Sequence, residues 1–209
     1  MLKQARCSCM SLSPIKQEIL ETMLLFEKPQ KATEIAKDAN KGFQPTMMHL
    51  LGLLKMGFVN SPEKGLYIIT PQGKRILGLP EVNKEKAASI IAYQPHDKSF
   101  EFYATIGQPL HVHAHSLKDF SNKLDRADPI SIEFHAKRGD FETWFKGIGD
   151  EELAKKVMLL KKRNVAREEF RHQLKHITED RYVELANLSG QEVAKEEHNH
   201  EHHDHSHQA

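Results

Sequence analysis

Histidine is concentrated in two segments of this sequence, and neutral imidazole is a good ligand for divalent transition metals. One segment is the end of the chain, EEHNHEHHDHSHQA, where six of the 14 histidines alternate with acids. Such a composition cannot build a core, so we expect a disordered, acidic tail over 189–209. Its imidazoles predict binding of Zn²⁺ or Ni²⁺ without one fixed geometry, through His198, His200, His202, His203, His205 and His207.

The second segment carries His111, His113 and His115 at alternate positions. On an extended strand all three side chains would point to one face. They could then hold Zn²⁺, Ni²⁺ or Cu²⁺, with a carboxylate or water as a further ligand. The alternative is a solvated cluster of loop histidines.

The remaining histidines and the two cysteines predict less chemistry. His172 and His176 are four residues apart, a spacing that can bind metal, but we expect exposed helix histidines. His135, close to Arg138 and Asp140, is expected to be structural rather than an acid–base catalyst. Cys7 and Cys9, in an expected flexible N-terminus over 1–12, are expected to be ordinary thiols.

The formal net charge of +1 is an average over three unlike segments. Residues 1–80 carry eleven Lys/Arg against six Asp/Glu, whereas residues 81–190 carry eighteen of each. Residues 191–209 carry one lysine against five acids. The basic first segment favours a polyanionic partner, which the whole-chain charge conceals.

The first 80 residues predict the order helix, helix, helix, hairpin, helix. Ser13-Pro14 opens the first helix, and apolar residues recur at helical spacing until Lys28-Pro29. A short helix follows over 34–40, and a third runs from Gln44-Pro45 to Met56. Short strands at 58–59 and 66–69 flank a hairpin loop, and Thr70 caps the last helix.

These residues resemble winged helix–turn–helix transcriptional regulators of bacteria and archaea over about 13–79. The pattern is carried by Leu50, Leu53, Met56-Gly57-Phe58-Val59, Gly65, Tyr67, Ile69-Thr70, Gly73 and Leu77. The resemblance implies that the third helix enters the major groove of DNA and that the hairpin reaches phosphate or the minor groove. The expected DNA contacts are Lys41, Gln44, Thr46, Met47, His49, Lys55, Lys64, Lys74 and Arg75.

The third helix also supports an alternative. Its sequence, QPTMMHLLGLLKM, has no arginine and is more apolar than a base-reading helix usually is. Leu51 and Leu54 should lie off the core stripe that Leu50 and Leu53 define. This face could therefore pack on a protein partner instead of DNA.

A linker or connecting helix over 81–98 separates the winged helix from a second, helix-rich domain over 99–188. We expect a strand over 99–106, helices over 117–124, 151–163 and 165–188, and a helix or strand over 131–137. The second domain resembles a mainly archaeal family of unknown activity, chiefly through Phe134-His135, Arg138-Gly139-Asp140-Phe141, Trp144 and Gly149-Asp150. That resemblance names a fold unit and no activity.

Several classes of protein are excluded by what the sequence lacks. No apolar run approaches the length of a membrane-spanning helix, and the first residues lack the apolar core of a secretory signal. Two cysteines cannot build a disulfide framework, so a cytoplasmic location fits better. No phosphate loop, nucleophile elbow or pair of catalytic carboxylates is apparent, so neither an enzyme nor an organic cofactor is expected.

The sequence thus predicts an α+β, mostly α chain, with an N-terminal winged helix and a second helix-rich domain containing a short strand region. We expect a DNA-binding transcriptional regulator, responsive to metal, that binds double-stranded DNA as a homodimer, because one recognition helix reads only a half-site. The alternative is a protein-interaction module that uses both domains without DNA.

Overall fold

The computed structural model describes residues 12–191. The predictions for Cys7, Cys9 and the six tail histidines fall outside these residues. In the described part, helices account for 61% of residues and strands for 12%, which confirms the α+β, mostly α class. No helix among residues 12–191 is both long and apolar enough to cross a membrane.

The first unit follows the expected order, with one additional strand. It contains α1 (Pro14–Leu24), β1 (Gln30–Lys31), α2 (Ala32–Asp38), α3 (Phe43–Lys55), β2 (Val59–Asn60), β3 (Leu66–Ile69) and α4 (Pro71–Ile76). The strands form an antiparallel sheet in the order β1-β3-β2, with Gln30 opposite Tyr67 and Val59 opposite Ile69. The sequence did not predict β1, which has only two residues.

One glycine and one threonine join α3, the hairpin and α4. Gly57 follows α3 with a φ of 75°, a left-handed conformation that suits glycine. The Thr70 hydroxyl donates to the Gly57 carbonyl at 2.7 Å and accepts from the Gly73 N–H at 3.0 Å. Thr70 therefore caps α4, as the sequence predicted, and also ties it to the end of α3.

The second unit begins with α5 (Lys84–Ile91), which was expected as a connecting helix. A 3-10 turn (His96–Lys98) leads into a hairpin of β4 (Phe100–Thr105) and β5 (Gln108–Ala114). Five helices follow: α6 (Leu117–Leu124), α7 (Pro129–Arg138), α8 (Asp140–Gly147), α9 (Glu151–Lys162) and α10 (Arg167–Ser189). The ambiguous segment over 131–137 is therefore helical.

Each unit has its own hydrophobic core. In the first, α1, α2, α3 and the sheet enclose Leu20, Ile35 and Leu50, and Leu159 of α9 joins them. In the second, α10 packs against α5, α6, α7 and α9. Ala87 and Ile90 of α5 are fully buried there, so the connecting helix is part of the second core.

Candidate functional site

The outward face of α3 lies beside the hairpin and is partly apolar. Leu50 and Leu53 point into the core, whereas Gln44 and Lys55 are exposed and His49 is half-buried. Met48, which the sequence analysis did not select, is 71% exposed. Its position off the stripe of Leu50 and Leu53 was the signal that could have found it.

Two expected contacts on α3 do not fit a DNA-reading role. Thr46 is fully buried, and its hydroxyl donates to the Gly42 carbonyl at 2.9 Å, so the prediction for Thr46 is wrong. A hydroxyl that completes a helix turn inside the core cannot reach a base. Met47 is half-buried and packs against the first core, which leaves little of it for a partner.

Three of the five expected basic contacts are held by carboxylates. Lys41 pairs with Glu18 at 2.8 Å, and Arg75 pairs with Glu81 at 2.9 Å on the surface. In contrast, Lys64 on the hairpin is exposed, and neither Lys64 nor Lys55 forms an ion pair within residues 12–191.

Lys74 is the third of these residues, and it points into the molecule. Its ammonium lies 2.7 Å from Glu152 and 3.1 Å from Glu184, both in the second unit. An ammonium held by two carboxylates is largely neutralised, so the prediction that Lys74 reaches phosphate is wrong. Lys74 instead joins the two units.

Lys74 belongs to a charge network around Arg181, a residue that sequence reasoning missed. The Arg181 side chain is only 2% exposed, and its guanidinium donates to Asp150 at 3.0 Å, Glu152 at 3.1 Å and Glu184 at 2.6 Å. Lys156, equally buried, contacts Glu27 of the first unit and lies 3.3 Å from Glu152. Arg181 with Glu184 and Lys156 with Glu152 have helical spacing. No local pattern signals the pairs of Arg181 with Asp150 and of Lys156 with Glu27, because those partners are distant in sequence.

Burial and the neighbouring opposite charges shift the pKa values of this network in opposite directions. Burial lowers the pKa of Lys156 to about 8, although its ammonium contacts two carboxylates. Burial also raises the pKa of Glu152, against the opposing field of Arg181 and Lys74. For Glu184, burial acts in the same raising direction, but Arg181 and Lys74 outweigh it and the pKa falls to about 2.

The network lines a cavity of about 400 Å³ between the two units. Carboxylate oxygens of Glu27, Glu152 and Glu184 lie within 4.8 Å of one another in this cavity. Among residues 12–191 this is the one group of three metal-ligating side chains that lie so close together. Lys74, Lys156 and Arg181 already contact these carboxylates. A divalent ion would have to displace these cations, so the group is better explained as an ion-pair network.

The histidines of β5 do not share one face. The register passes from Phe102 opposite Val112 to Tyr103 opposite Pro109, so the strand bulges at His111, whose φ is 53°. The bulge separates the exposed His111 from His113 and His115. The prediction that all three imidazoles point to one face is therefore wrong for His111. His113 and His115 remain near each other, with ring centroids 6.3 Å apart.

His96, another residue that sequence reasoning missed, completes this cluster. Its ring lies 4.2 Å from that of His113 and 6.2 Å from that of His115. Exposed Tyr93 stacks on His115 at 4.8 Å with an interplanar angle of 6°. The 3-10 turn brings His96 to the hairpin, a proximity that residue spacing does not indicate.

His135 is buried and has two partners. Its Nε2 accepts from the Tyr103 backbone N–H at 2.8 Å, so its Nδ1–H donates to Asp140, also at 2.8 Å. Burial lowers the pKa of His135, against the opposing effect of Asp140. Because the Nε2 lone pair is used by the backbone, His135 has no position from which to accept a substrate proton.

Asp140 is the first residue of α8, and its carboxylate binds His135 and Arg138. On α10, His172 and His176 are exposed, as predicted.

No protein-family model, curated protein or solved structure matches this chain.

Proposed function

We propose that this protein is a DNA-binding transcriptional regulator that acts in the cytoplasm as a homodimer. One observation carries the proposal: α3 lies on the surface next to the β2–β3 hairpin, in a unit with the element order of a winged helix. In that arrangement the third helix enters the major groove and the hairpin contacts the backbone.

The positions of the exposed basic residues agree with this orientation. Lys55 is at the end of α3 and Lys64 is on the hairpin, and both are exposed. Gln44, exposed at the start of the same helix, carries an amide that can read an adenine edge. The excess of basic residues over 1–80 adds attraction to phosphate.

The proposal is tested with the full-length chain and a labelled duplex of mixed sequence, followed by fluorescence anisotropy at several salt concentrations. We expect Lys55→Glu and Lys64→Glu to weaken binding, each by roughly tenfold, and to reduce the salt slope by about 1. Lys146→Glu is the matched control, because Lys146 is exposed on α8 of the second unit. Equal affinities for all three variants would remove α3 and the hairpin as the DNA surface.

A second function is favoured by the apolar residues on the same face. Met48, Phe43 and Leu51 are 71%, 51% and 43% exposed, respectively. Exposed apolar clusters of this kind mark protein-binding surfaces. In this alternative, α3 docks on a protein partner and no DNA is bound.

The two functions predict different results for polar substitutions. If α3 binds protein, Met48→Ser with Leu51→Ser abolishes a specific complex, and the unsubstituted chain shows no salt-dependent association with DNA. If α3 binds DNA, the same pair changes affinity by less than Lys64→Glu does, because phosphate contacts supply most of the binding. Measuring both associations on one set of proteins decides between them.

A further inference from the structure

One face of the β1-β3-β2 sheet, which we call the outer face, combines exposed lysines with partly apolar residues. Lys31 of β1 is directly opposite Leu66 of β3, so their side chains share this face with Ile68, two residues further along β3. Lys31 is exposed, whereas Leu66 and Ile68 are half-buried. Lys64, in the hairpin loop just before β3, is exposed as well.

The lysines of the outer face keep their charge. Neither Lys31 nor Lys64 forms an ion pair within residues 12–191. Lys28, two residues before β1, is exposed and has no ion pair in the same range. Glu63 is the one acidic residue of the hairpin loop over 61–65. The face therefore attracts an acidic ligand.

The end of α10 lies next to the outer face. Leu188, in the last turn of that helix, lines the cavity between the two units together with Ile68. Gly190, with a φ of 81°, ends the helix, and the Gln191 N–H donates to the Ala186 carbonyl at 3.0 Å. This turn directs the following residues away from the axis of α10. Residues 192–209 therefore start beside the sheet.

Residues 192–209 are complementary to the outer face in charge and long enough to cover it. They carry one lysine against five carboxylates. Lys64 is about 13 Å of strand away from Ile68. Glu196 follows Leu188 by eight residues, which span about 26 Å when extended. The acids that can reach the lysines are Glu196, Glu197, Glu201 and Asp204.

We propose that residues 192–209 dock on the outer face, with their carboxylates at Lys31 and Lys64, and compete there with DNA. The competition rests on the proposed DNA-binding function, because Lys64 belongs to both surfaces. Attachment to the same chain gives the segment a high local concentration, so individually weak ion pairs suffice. A segment that covers the face about nine-tenths of the time lowers the affinity for DNA about tenfold.

The six histidines of the tail provide a means of release. They are interleaved with the carboxylates, and neutral imidazole binds Zn²⁺. Because each Zn²⁺ ion adds two positive charges, about two ions would cancel the net charge of residues 192–209. A neutral segment is no longer attracted to Lys31 and Lys64, and DNA gains access to the face. Zn²⁺ thus activates DNA binding.

The docking is tested first without DNA, on the full-length chain. A water-soluble carbodiimide joins lysines to carboxylates in contact with them, and mass spectrometry of the monomer band identifies the joined residues. We expect links from the tail carboxylates to Lys31 and Lys64, and none to Lys146, which is exposed on α8. Zn²⁺ should abolish these links, whereas a chain with the six tail histidines changed to asparagine should keep them.

The competition is then tested by anisotropy with a labelled duplex at low salt. Neutralising three tail acids should tighten DNA binding by roughly fivefold, and high salt should remove this gain. These changes are Glu196→Gln, Glu197→Gln and Glu201→Gln. Zn²⁺ should tighten binding of the unsubstituted chain and leave the chain with six asparagines unchanged.

The matched control neutralises three exposed acids of the second unit: Glu85→Gln, Asp97→Asn and Glu169→Gln. It should change the affinity for DNA by less than about twofold, because these acids lie outside residues 192–209. An equal gain in the tail variant and in this control would overturn the competition, since overall charge would then explain both.

The docking and the DNA-binding function can fail separately. DNA binding without links to Lys31 and Lys64 would overturn the docking and leave the function in place. Links only in covalent dimers would also overturn it, because the segment would then occupy a second copy. Links without any association with DNA would support the docking and overturn the competition together with the proposed function.

Discussion

At the scale of single residues, His135 shows how one buried side chain holds three elements together. Its imidazole joins α7 to the backbone of β4 through Tyr103 and to the start of α8 through Asp140. Phe100 and Phe141 lie against its ring, with centroids 4.9 and 5.7 Å away. These apolar neighbours favour the neutral ring, which is why burial lowers its pKa.

This depressed pKa predicts a loss of stability in mild acid. As pH falls through about 6.5, the unfolded chain gains a proton on His135 that the folded chain does not bind. The free energy of unfolding should therefore fall, by up to about 1.4 kcal/mol for each pH unit until the folded-state pKa is reached. Urea unfolding at a series of pH values measures the slope.

His135→Gln should flatten that slope, although it also lowers stability at neutral pH because two hydrogen bonds change. His172→Gln, at an exposed position, should retain the slope of the unsubstituted chain. If His135→Gln and His172→Gln gave the same slope, the acid sensitivity would come from other groups.

At the scale of elements, local signals predicted most of the helices. The helices predicted over 117–124 and 151–163 are α6 and α9. Each begins with a side-chain cap, since Ser116 accepts from the Asp119 N–H and Asp150 accepts from the Leu153 N–H. The two-residue strand β1 was missed because its pairing with β3 is set by tertiary contact. The bulge at His111 was missed because nothing in its alternating neighbours indicates an extra pair of residues.

Gly73 provides a test of how closely α4 packs on the hairpin. A Cβ at this position would lie 2.2 Å from the Phe58 carbonyl oxygen and 2.8 Å from Ile69 Cγ1. Gly73→Ala should therefore lower the free energy of unfolding by about 1–3 kcal/mol, despite the better helix propensity of alanine. Chemical denaturation measures the change.

Gly147→Ala is the control, because Gly147 is also in a helix but has open space where its Cβ would be. This change should raise stability by up to about 1 kcal/mol. A stabilising effect at both glycines would mean that α4 can move away from the hairpin without cost.

At the scale of the whole molecule, charged side chains connect the two units. Besides the network around Arg181, Lys155 pairs with Glu21 at 3.3 Å and Arg163 pairs with Asp38 at 3.1 Å. In both pairs the basic residue lies in α9 or directly after it, in the second unit, and the acidic residue belongs to the first unit. Sequence reasoning could not find these contacts, because residue spacing carries no information about partners more than a hundred positions apart.

Substitution of Lys74 can distinguish a role in connecting the two units from a role in binding DNA. Lys74→Met leaves the buried Glu152 with one cation fewer, so it should lower the free energy of unfolding by roughly 1–3 kcal/mol. Since its ammonium is turned inward, affinity for DNA should stay within about twofold. Lys64→Met should do the reverse: stability should change by less than about 0.5 kcal/mol, while DNA affinity and its salt slope both fall.

Chemical denaturation and anisotropy on these two variants measure both effects, at a temperature where each is folded. The crossed design matters because a lysine that served both purposes would change both quantities. A Lys74→Met variant of unchanged stability that bound DNA more weakly would place its ammonium at the phosphate backbone and not between the units. That outcome would require the two units to separate when DNA binds, because Glu152 and Glu184 hold Lys74 at 2.7 and 3.1 Å as long as they stay together.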